Sequence, residues 1–252
     1  MERCPTGIKG FDDLVEGGIP NHTSVLLLGA PGTGKTIFAM EFVYRGAVER
    51  GETGLYMSFE QNPDKLREQA KQLGFTELER LEQEGKIILM CIPVNEIDKD
   101  TVPDMVIKAK ESGATRLVID SLSALSINAP LYSTAGDMVM KTVMDKSTVI
   151  SPPIIGEDVK KNFVYKFVNE IKGVPTTALL LGESHEQSSV SPDRIAEFVC
   201  DGVIVLKRTT IGEEINRTIH LEKMRLTNLK VAMRDFELTA EGFVVKGGDD
   251  GN

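Results

Sequence analysis

The run Ser24-Val25-Leu26-Leu27-Leu28 is short, apolar and uninterrupted, which is the pattern of a buried strand. Glycines follow it, and from Ile37 to Arg50 the residues Ile37, Met40, Val43, Tyr44 and Ala47 recur at helical spacing. A strand, a glycine loop and a helix are therefore consecutive. Further strand-like runs occupy Leu55 to Phe59, Lys86 to Ile92, Arg116 to Ile119, Thr176 to Leu181 and Gly202 to Leu206, with helical stretches separating the first five. This alternation predicts an α/β fold with a mostly parallel central sheet and flanking crossover helices. One helix is bounded by its end chemistry: Asn62 suits the N-cap, Pro63 the first helical position, and Gly74 closes the helix after Leu73.

From Glu213 the pattern changes to β-type runs, Ile215 to Met224, Arg234 to Leu238 and Gly242-Phe243-Val244-Val245, with turn residues between them. These predict a C-terminal antiparallel extension of the sheet. Gly247 to Asn252 carry no apolar side chain and read as a frayed tail, which leaves residues 1–246 as one domain. A length of 252 residues is near the upper limit for a single core. Residues 126–156 fit neither pattern: Met138, Met140, Val143 and Met144 suggest a short helix, while Ser151-Pro152-Pro153 breaks regular structure.

Composition narrows the function classes. With 41% hydrophobic and 27% charged residues the chain is that of a soluble globular protein. Its net charge of −9 sets up a negative field that disfavours non-specific nucleic-acid binding. Cys4, Cys91 and Cys200 are odd in number and widely spaced, so they predict buried thiols and neither a disulfide framework nor a zinc site. His22, His185 and His220 show no ligand spacing. The N-terminus lacks the apolar run of a signal peptide, and no stretch approaches the roughly 18 apolar residues of a membrane span. The expectation is a cytoplasmic protein without membrane contact.

The chemistry is concentrated after the first strand. Gly29-Ala30-Pro31-Gly32-Thr33-Gly34-Lys35-Thr36 matches G-x-x-x-x-G-K-[ST], in the strand-to-helix context that the motif requires. Gly32 and Gly34 allow backbone N–H groups to turn toward phosphate oxygens, the helix start at Ile37 adds a positive dipole end, and Lys35 reaches the terminal phosphates. Thr36 can place its hydroxyl on magnesium. Asp120, at the end of the run Arg116 to Ile119, supplies the second magnesium-side oxygen. Glu60 follows the strand Leu55 to Phe59, on the side where parallel strands face a ligand crevice, and is the candidate base for an attacking water. Gln61 beside it can orient water but cannot accept its proton. The cofactors predicted are ATP or ADP and Mg²⁺.

Taken together, Thr6-Gly7-Ile8-Lys9-Gly10-Phe11-Asp12-Asp13-Leu14, Gly17-Gly18-Ile19-Pro20, the phosphate loop, Ser58-Phe59-Glu60, Ile119-Asp120-Ser121-Leu122 and Glu197-Phe198-Val199-Cys200-Asp201 resemble KaiC-type P-loop ATPases of the RecA superfamily over nearly the whole length. The resemblance implies a RecA-like fold, magnesium and ATP, and a homo-oligomeric ring, usually a hexamer, with nucleotide held between neighbours. It gives Lys223 and Arg225, in Lys223-Met224-Arg225, the role of cations reaching the γ-phosphate bound next door, with Thr227 beside them. Members often continue this element with glycine and a histidine, where this chain has Leu226 and Leu229. Glu183, Ser184 and His185, after a core strand, fall where the family senses nucleotide state. KaiC's phosphorylated pair has no match at Ser133-Thr134 or Ser147-Thr148, so autophosphorylation is not expected.

The function expected is a slow, magnesium-dependent ATPase acting as an oligomeric switch on a protein partner that the sequence does not name. Two alternatives share its parts. A RecA- or RadA-like recombinase would bind DNA through loops after the fourth and fifth core strands, yet residues 126–156 set Lys141 and Lys146 against Asp137 and Asp145. The stretch 183–197 sets Arg194 against Glu183, Glu186, Asp193 and Glu197, so neither loop is basic. A regulatory module that binds nucleotide without turnover is the second alternative.

Overall fold

A computed structural model describes residues 2–127, 152–184, 192–212 and 214–247. A two-stranded hairpin of β1 (Arg3–Cys4) and β2 (Ile19–Pro20) precedes the main sheet. The central elements are β3 (Ser24–Gly29), α1 (Lys35–Arg50), β4 (Gly54–Ser58), α2 (Pro63–Gln72), α3 (Leu78–Gln83) and β5 (Ile87–Cys91). They continue with α4 (Thr101–Glu111), β6 (Arg116–Asp120), α5 (Leu122–Ile127), α6 (Pro152–Lys172), β7 (Thr177–Gly182) and α7 (Pro192–Val199). The C-terminal strands are β8 (Gly202–Ile211), β9 (Glu214–Met224), β10 (Met233–Thr239) and β11 (Gly242–Val245).

The main sheet has nine strands in the order β11-β10-β9-β8-β3-β7-β6-β4-β5. From β8 to β5 neighbouring strands are parallel, and from β8 to β11 they are antiparallel, as the pattern predicted. Every residue of β3 is buried, because helices cover both faces of a parallel sheet and leave no solvated side to alternate with. Successive side chains still part to opposite faces. Val25, Leu27, Tyr56 and Val118 join α1 residues Phe38 and Phe42 in one core, and Leu26, Leu28, Leu117 and Ile119 join α6 residues Phe167 and Val168 in the other.

Two local devices lock the segments around the sheet. The Asp12 carboxylate accepts from the Thr6 N–H and hydroxyl at 2.8 and 2.7 Å and from the Gly7 N–H at 3.0 Å, folding the opening Thr-Gly motif onto itself. Arg116 is buried under α1, where it donates to Phe42 O and Pro5 O at 2.6 Å each and pairs with Glu52. A buried guanidinium needs this set of acceptors to offset its lost hydration.

Three features depart from the patterns along the chain. Ser151-Pro152-Pro153 was expected to break structure, but α6 begins at Pro152, because first-turn N–H groups have no helical partner and proline loses nothing there. β8 runs past Leu206 to Ile211, held by its antiparallel ribbon with β9. The short helix α7 and the two-residue strands β1 and β2 are below the length at which periodicity speaks. The methionines between 138 and 144, His185, both Ser-Thr pairs and all of the tail beyond Gly247 lie outside the described residues.

Candidate nucleotide site

The phosphate loop is shaped by close approaches. A Cβ on Gly29 would stand 2.5 Å from Thr33 Oγ1 and 2.8 Å from Leu206 O, so the end of β3 admits no side chain. Gly32 and Gly34 take φ of 76° and 105°, a left-handed backbone that glycine adopts at no steric cost. Thr33 folds away from the cavity, its hydroxyl donating to Ala30 O at 2.8 Å. Lys35, the first residue of α1, lays its Nζ across the loop, 2.6 Å from Gly29 O and 3.3 Å from Ala30 O. Its ammonium thus rests on the loop's own carbonyls, beside a cavity that Lys35 lines.

That cavity has a volume of about 510 Å³. Pro31, Gly32, Gly34, Lys35, Thr36 and Ile37 line one side, and Glu60, Gln61, Asp120, Ser121 and Glu183 face them. Leu73, the residue that follows α2, and Leu238 of β10 supply apolar surface beside Gln69 and Gln72 of α2. Nothing in the sequence pattern announced Leu73 or Leu238, since each reads as an ordinary core residue of its own element.

On the metal side, the Thr36 hydroxyl donates to Asp120 Oδ2 at 3.3 Å and the Tyr56 hydroxyl to the same oxygen at 2.6 Å. Burial pushes the Asp120 carboxyl above the usual aspartate range and Glu60 adds to the rise, while the Tyr56 and Thr36 hydrogen bonds and Lys35 oppose it. Burial, reinforced by the Asp120 charge, raises the Tyr56 phenol well above its usual value, so Tyr56 stays a donor. Sequence reasoning missed Tyr56. The available signal was that a tyrosine inside a buried strand needs a partner for its hydroxyl.

These donors fit magnesium. A hydroxyl and a carboxylate are hard oxygen ligands, and Mg²⁺ is ordinarily held by one or two such groups with phosphate and water completing its shell. No group of three or more His, Cys, Asp or Glu that could hold an ion occurs among the described residues.

Glu60 sits two residues beyond β4, next to the end of β6, because Ser58 and Asp120 are register partners. The Ser121 hydroxyl donates to Glu60 Oε1 at 2.7 Å, and Ser58 Oγ accepts from the Glu60 and Gln61 N–H groups at 3.3 and 2.9 Å. The carboxylate is therefore oriented yet still exposed. Gln61 Oε1 is buried and has no hydrogen-bond partner among the described residues. Glu183 lines the cavity with its N–H bound to Ser123 Oγ at 2.9 Å.

Lys223, Arg225 and Thr227 are not in this cavity. Met224 pairs with Gly202, which pairs with Val25, so these residues lie where β3 begins and the phosphate loop where it ends. The rise from Val25 to Gly29 separates Met224 from the loop by about 13 Å along the sheet. Lys223 Nζ donates to the carbonyls of Cys200, Glu197 and Phe198 at 2.6, 3.0 and 3.2 Å, closing the C-terminal end of α7. Burial, then the charge of Arg225, pulls its pKa below the usual lysine value. Arg225 donates to Asp201 at 3.2 Å, and Thr227 Oγ1 accepts from Arg3 at 2.9 Å.

The family model described as the KaiC ATPase matches residues 4–250. The chain belongs to the KaiC ATPase family. It is 29% identical to a UPF0273 protein of Methanocaldococcus jannaschii, over 97% of this chain and 96% of the relative. It is also 29% identical to the circadian clock oscillator protein KaiC of Synechococcus elongatus, over 96% of this chain but only 44% of that protein. Among solved structures, a KaiC-like protein of Pyrococcus horikoshii is similar with a TM-score of 0.77 and 30% identity, over 98% of this chain and 99% of the other. The phosphate loop thus belongs to a P-loop ATPase fold, and no helix among the described residues is long and apolar enough to cross a membrane.

Proposed function

We propose that this KaiC-family chain is a magnesium-dependent ATPase, one module spanning residues 1–246, that works as a ring with each nucleotide held between two copies. The observation that carries the reading is convergence: Lys35, Thr36, Asp120 and Glu60, from three different strand ends, meet on one cavity. Backbone amides and the Lys35 ammonium would bind the polyphosphate, with adenine toward Leu73 and Leu238. Magnesium, held by Thr36 and through Asp120, would neutralise phosphate oxygens. Glu60, steadied by Ser121, would take the proton of the attacking water.

The ring is supported by where the family's candidate cations stand. A phosphoryl-transfer transition state spreads negative charge that a further cation stabilises. Lys223 and Arg225 are the family's candidates, and in their own subunit they sit at the wrong end of β3 to serve. A second copy placed head to tail brings them to the phosphate end. Slow hydrolysis in such a ring would switch its conformation or its hold on a partner.

Calorimetric titration with ATP and magnesium tests the binding half. Wild type should show saturable heat, and Lys35→Ala should show none while keeping its folded circular dichroism spectrum. Particle mass measured with and without ATP tests the ring. Folded wild-type protein that ignores ATP, or that hydrolyses it as a monomer, sinks the respective half.

A further inference from the structure

The turn that carries Arg225 is held by a residue at the other end of the chain. Arg3, with a side chain only 14% exposed, donates from Nη1 to Val15 O and Gly18 O at 3.1 Å each and to Thr227 Oγ1 at 2.9 Å. From Nη2 it donates to Leu226 O at 3.0 Å and pairs with Glu16. One planar fork therefore joins the N-terminal hairpin to the turn that leaves β9.

That turn needs holding. Leu226 adopts φ of 62°, the left-handed region that favours glycine. It is 61% exposed, so its own burial does not fix it. On one side Arg225 is tied to Asp201, and on the other Arg3 takes both the Leu226 carbonyl and the Thr227 hydroxyl oxygen. Two acceptors gripped by one rigid donor group set the direction in which the chain leaves the strand.

The contact also bears on the chemistry of Thr227. Its oxygen accepts the Arg3 N–H, and its hydroxyl keeps one hydrogen to donate to another group. The complementary group is an acceptor, such as a phosphate oxygen or a base nitrogen of a nucleotide. We infer that Arg3 is a positioning residue for the inter-subunit half of the ATPase site, fixing the Arg225 to Thr227 turn so that it meets the nucleotide of the next copy. Arg3 is not among the residues that line the phosphate-loop cavity. The inference rests on the ring ATPase reading above.

The test uses mixed rings. Arg3→Ala should bind ATP in its own phosphate loop within about twofold of wild type, yet lose about tenfold or more in kcat, because only the charge stabilisation from the neighbour is disturbed. Arg3→Lys, which keeps the charge but not the fork, should fall between. Lys35→Ala has the opposite defect, an empty loop with an intact turn. In co-assembled equal mixtures, about a quarter of the interfaces of a head-to-tail ring join an intact loop to an intact turn, so activity should rise toward that fraction. A residue that merely stabilises its own subunit gives no such recovery, and silence from mixed rings overturns the inference. Should Arg3→Ala fail to fold, Arg3→Lys and Thr227→Val are mixed in the same way, with the same two outcomes. Arg225→Ala separates the readings: if it too leaves turnover intact, the ring reading falls and takes the inference with it. If it abolishes turnover while folded Arg3→Ala does not, the inference about Arg3 alone is wrong.

Discussion

The Tyr56 hydroxyl lies 2.6 Å from Asp120 Oδ2, the oxygen that the Thr36 hydroxyl also approaches. The carboxylate is thereby aimed from below by a side chain that faces no solvent. Tyr56→Phe keeps the ring and its packing but removes the donor. A hydrogen bond to a charged group is worth about 1.5–3 kcal/mol, so unfolding free energy in urea should fall by that order, and magnesium-dependent turnover should fall with it. Unchanged stability would mean that the bond contributes nothing net.

Asp120→Asn should behave in the opposite way toward stability. Burial lifts the folded-state pKa of Asp120 above its unfolded value, so the folded protein favours the protonated acid. The stabilisation that this confers is complete below the ordinary aspartate value of about 3.9 and is lost as pH rises through the raised folded value. At neutral pH the ionised carboxylate therefore costs stability, and asparagine avoids that cost. Without nucleotide the variant's thermal midpoint at neutral pH should equal or exceed that of wild type, while magnesium-dependent hydrolysis is lost. A clearly lower midpoint would contradict the sign.

Glu60→Gln preserves an oxygen for the Ser121 hydroxyl but cannot accept a proton. Single-turnover measurements should find ATP still bound and hydrolysis slower by about 10²–10⁴-fold, the usual contribution of a general base. Ser121→Ala, which only frees the carboxylate to wander, should cost less. Equal turnover in Glu60→Gln and wild type would remove Glu60 from the mechanism.

Gly46→Ala places a methyl group 2.2 Å from Arg116 Nε, inside helix α1 where alanine would otherwise be favoured. The guanidinium would have to leave its carbonyl partners and Glu52, and a broken buried ion pair typically costs about 3–5 kcal/mol. Chemical denaturation should show a loss of that order. A stabilised variant would mean that Arg116 has a second place to go.

Burial pushes the Cys200 thiol up to about 12 and the Cys4 thiol up to about 11. Thiolate is the reactive form, so both should resist a thiol reagent at pH 8 until the chain unfolds. Cys91, half-buried at the end of β5, has a thiol also raised by burial and should react first, though slowly. Rapid native labelling of more than one thiol would contradict this burial.

Much of the sheet was legible along the chain because a parallel strand covered on both faces leaves an apolar run, and β3, β4, β6, β7 and β8 all do so. The helix cap at Asn62 was legible for the same local reason, its side chain accepting from the Lys65 N–H three residues on. Pro152 was misjudged because proline's effect depends on whether it stands inside a helix or at its first turn, and only the fold decides where the turn begins.

Local chemistry alone placed the phosphate loop, since glycine positions, lysine and threonine act on atoms within a few residues of one another. It also named Asp120 and Glu60 as strand-end acids. Which acid meets which hydroxyl was settled by strand order: β4 beside β6 brings Ser121 to Glu60 and Tyr56 to Asp120 across more than sixty residues of chain. The grip of Arg3 on Leu226 and Thr227 spans almost the whole sequence. Hydrogen bonds reach about 3 Å through space and are blind to separation along the chain, so such pairs have no periodicity or motif to betray them and exist only once the sheet has closed.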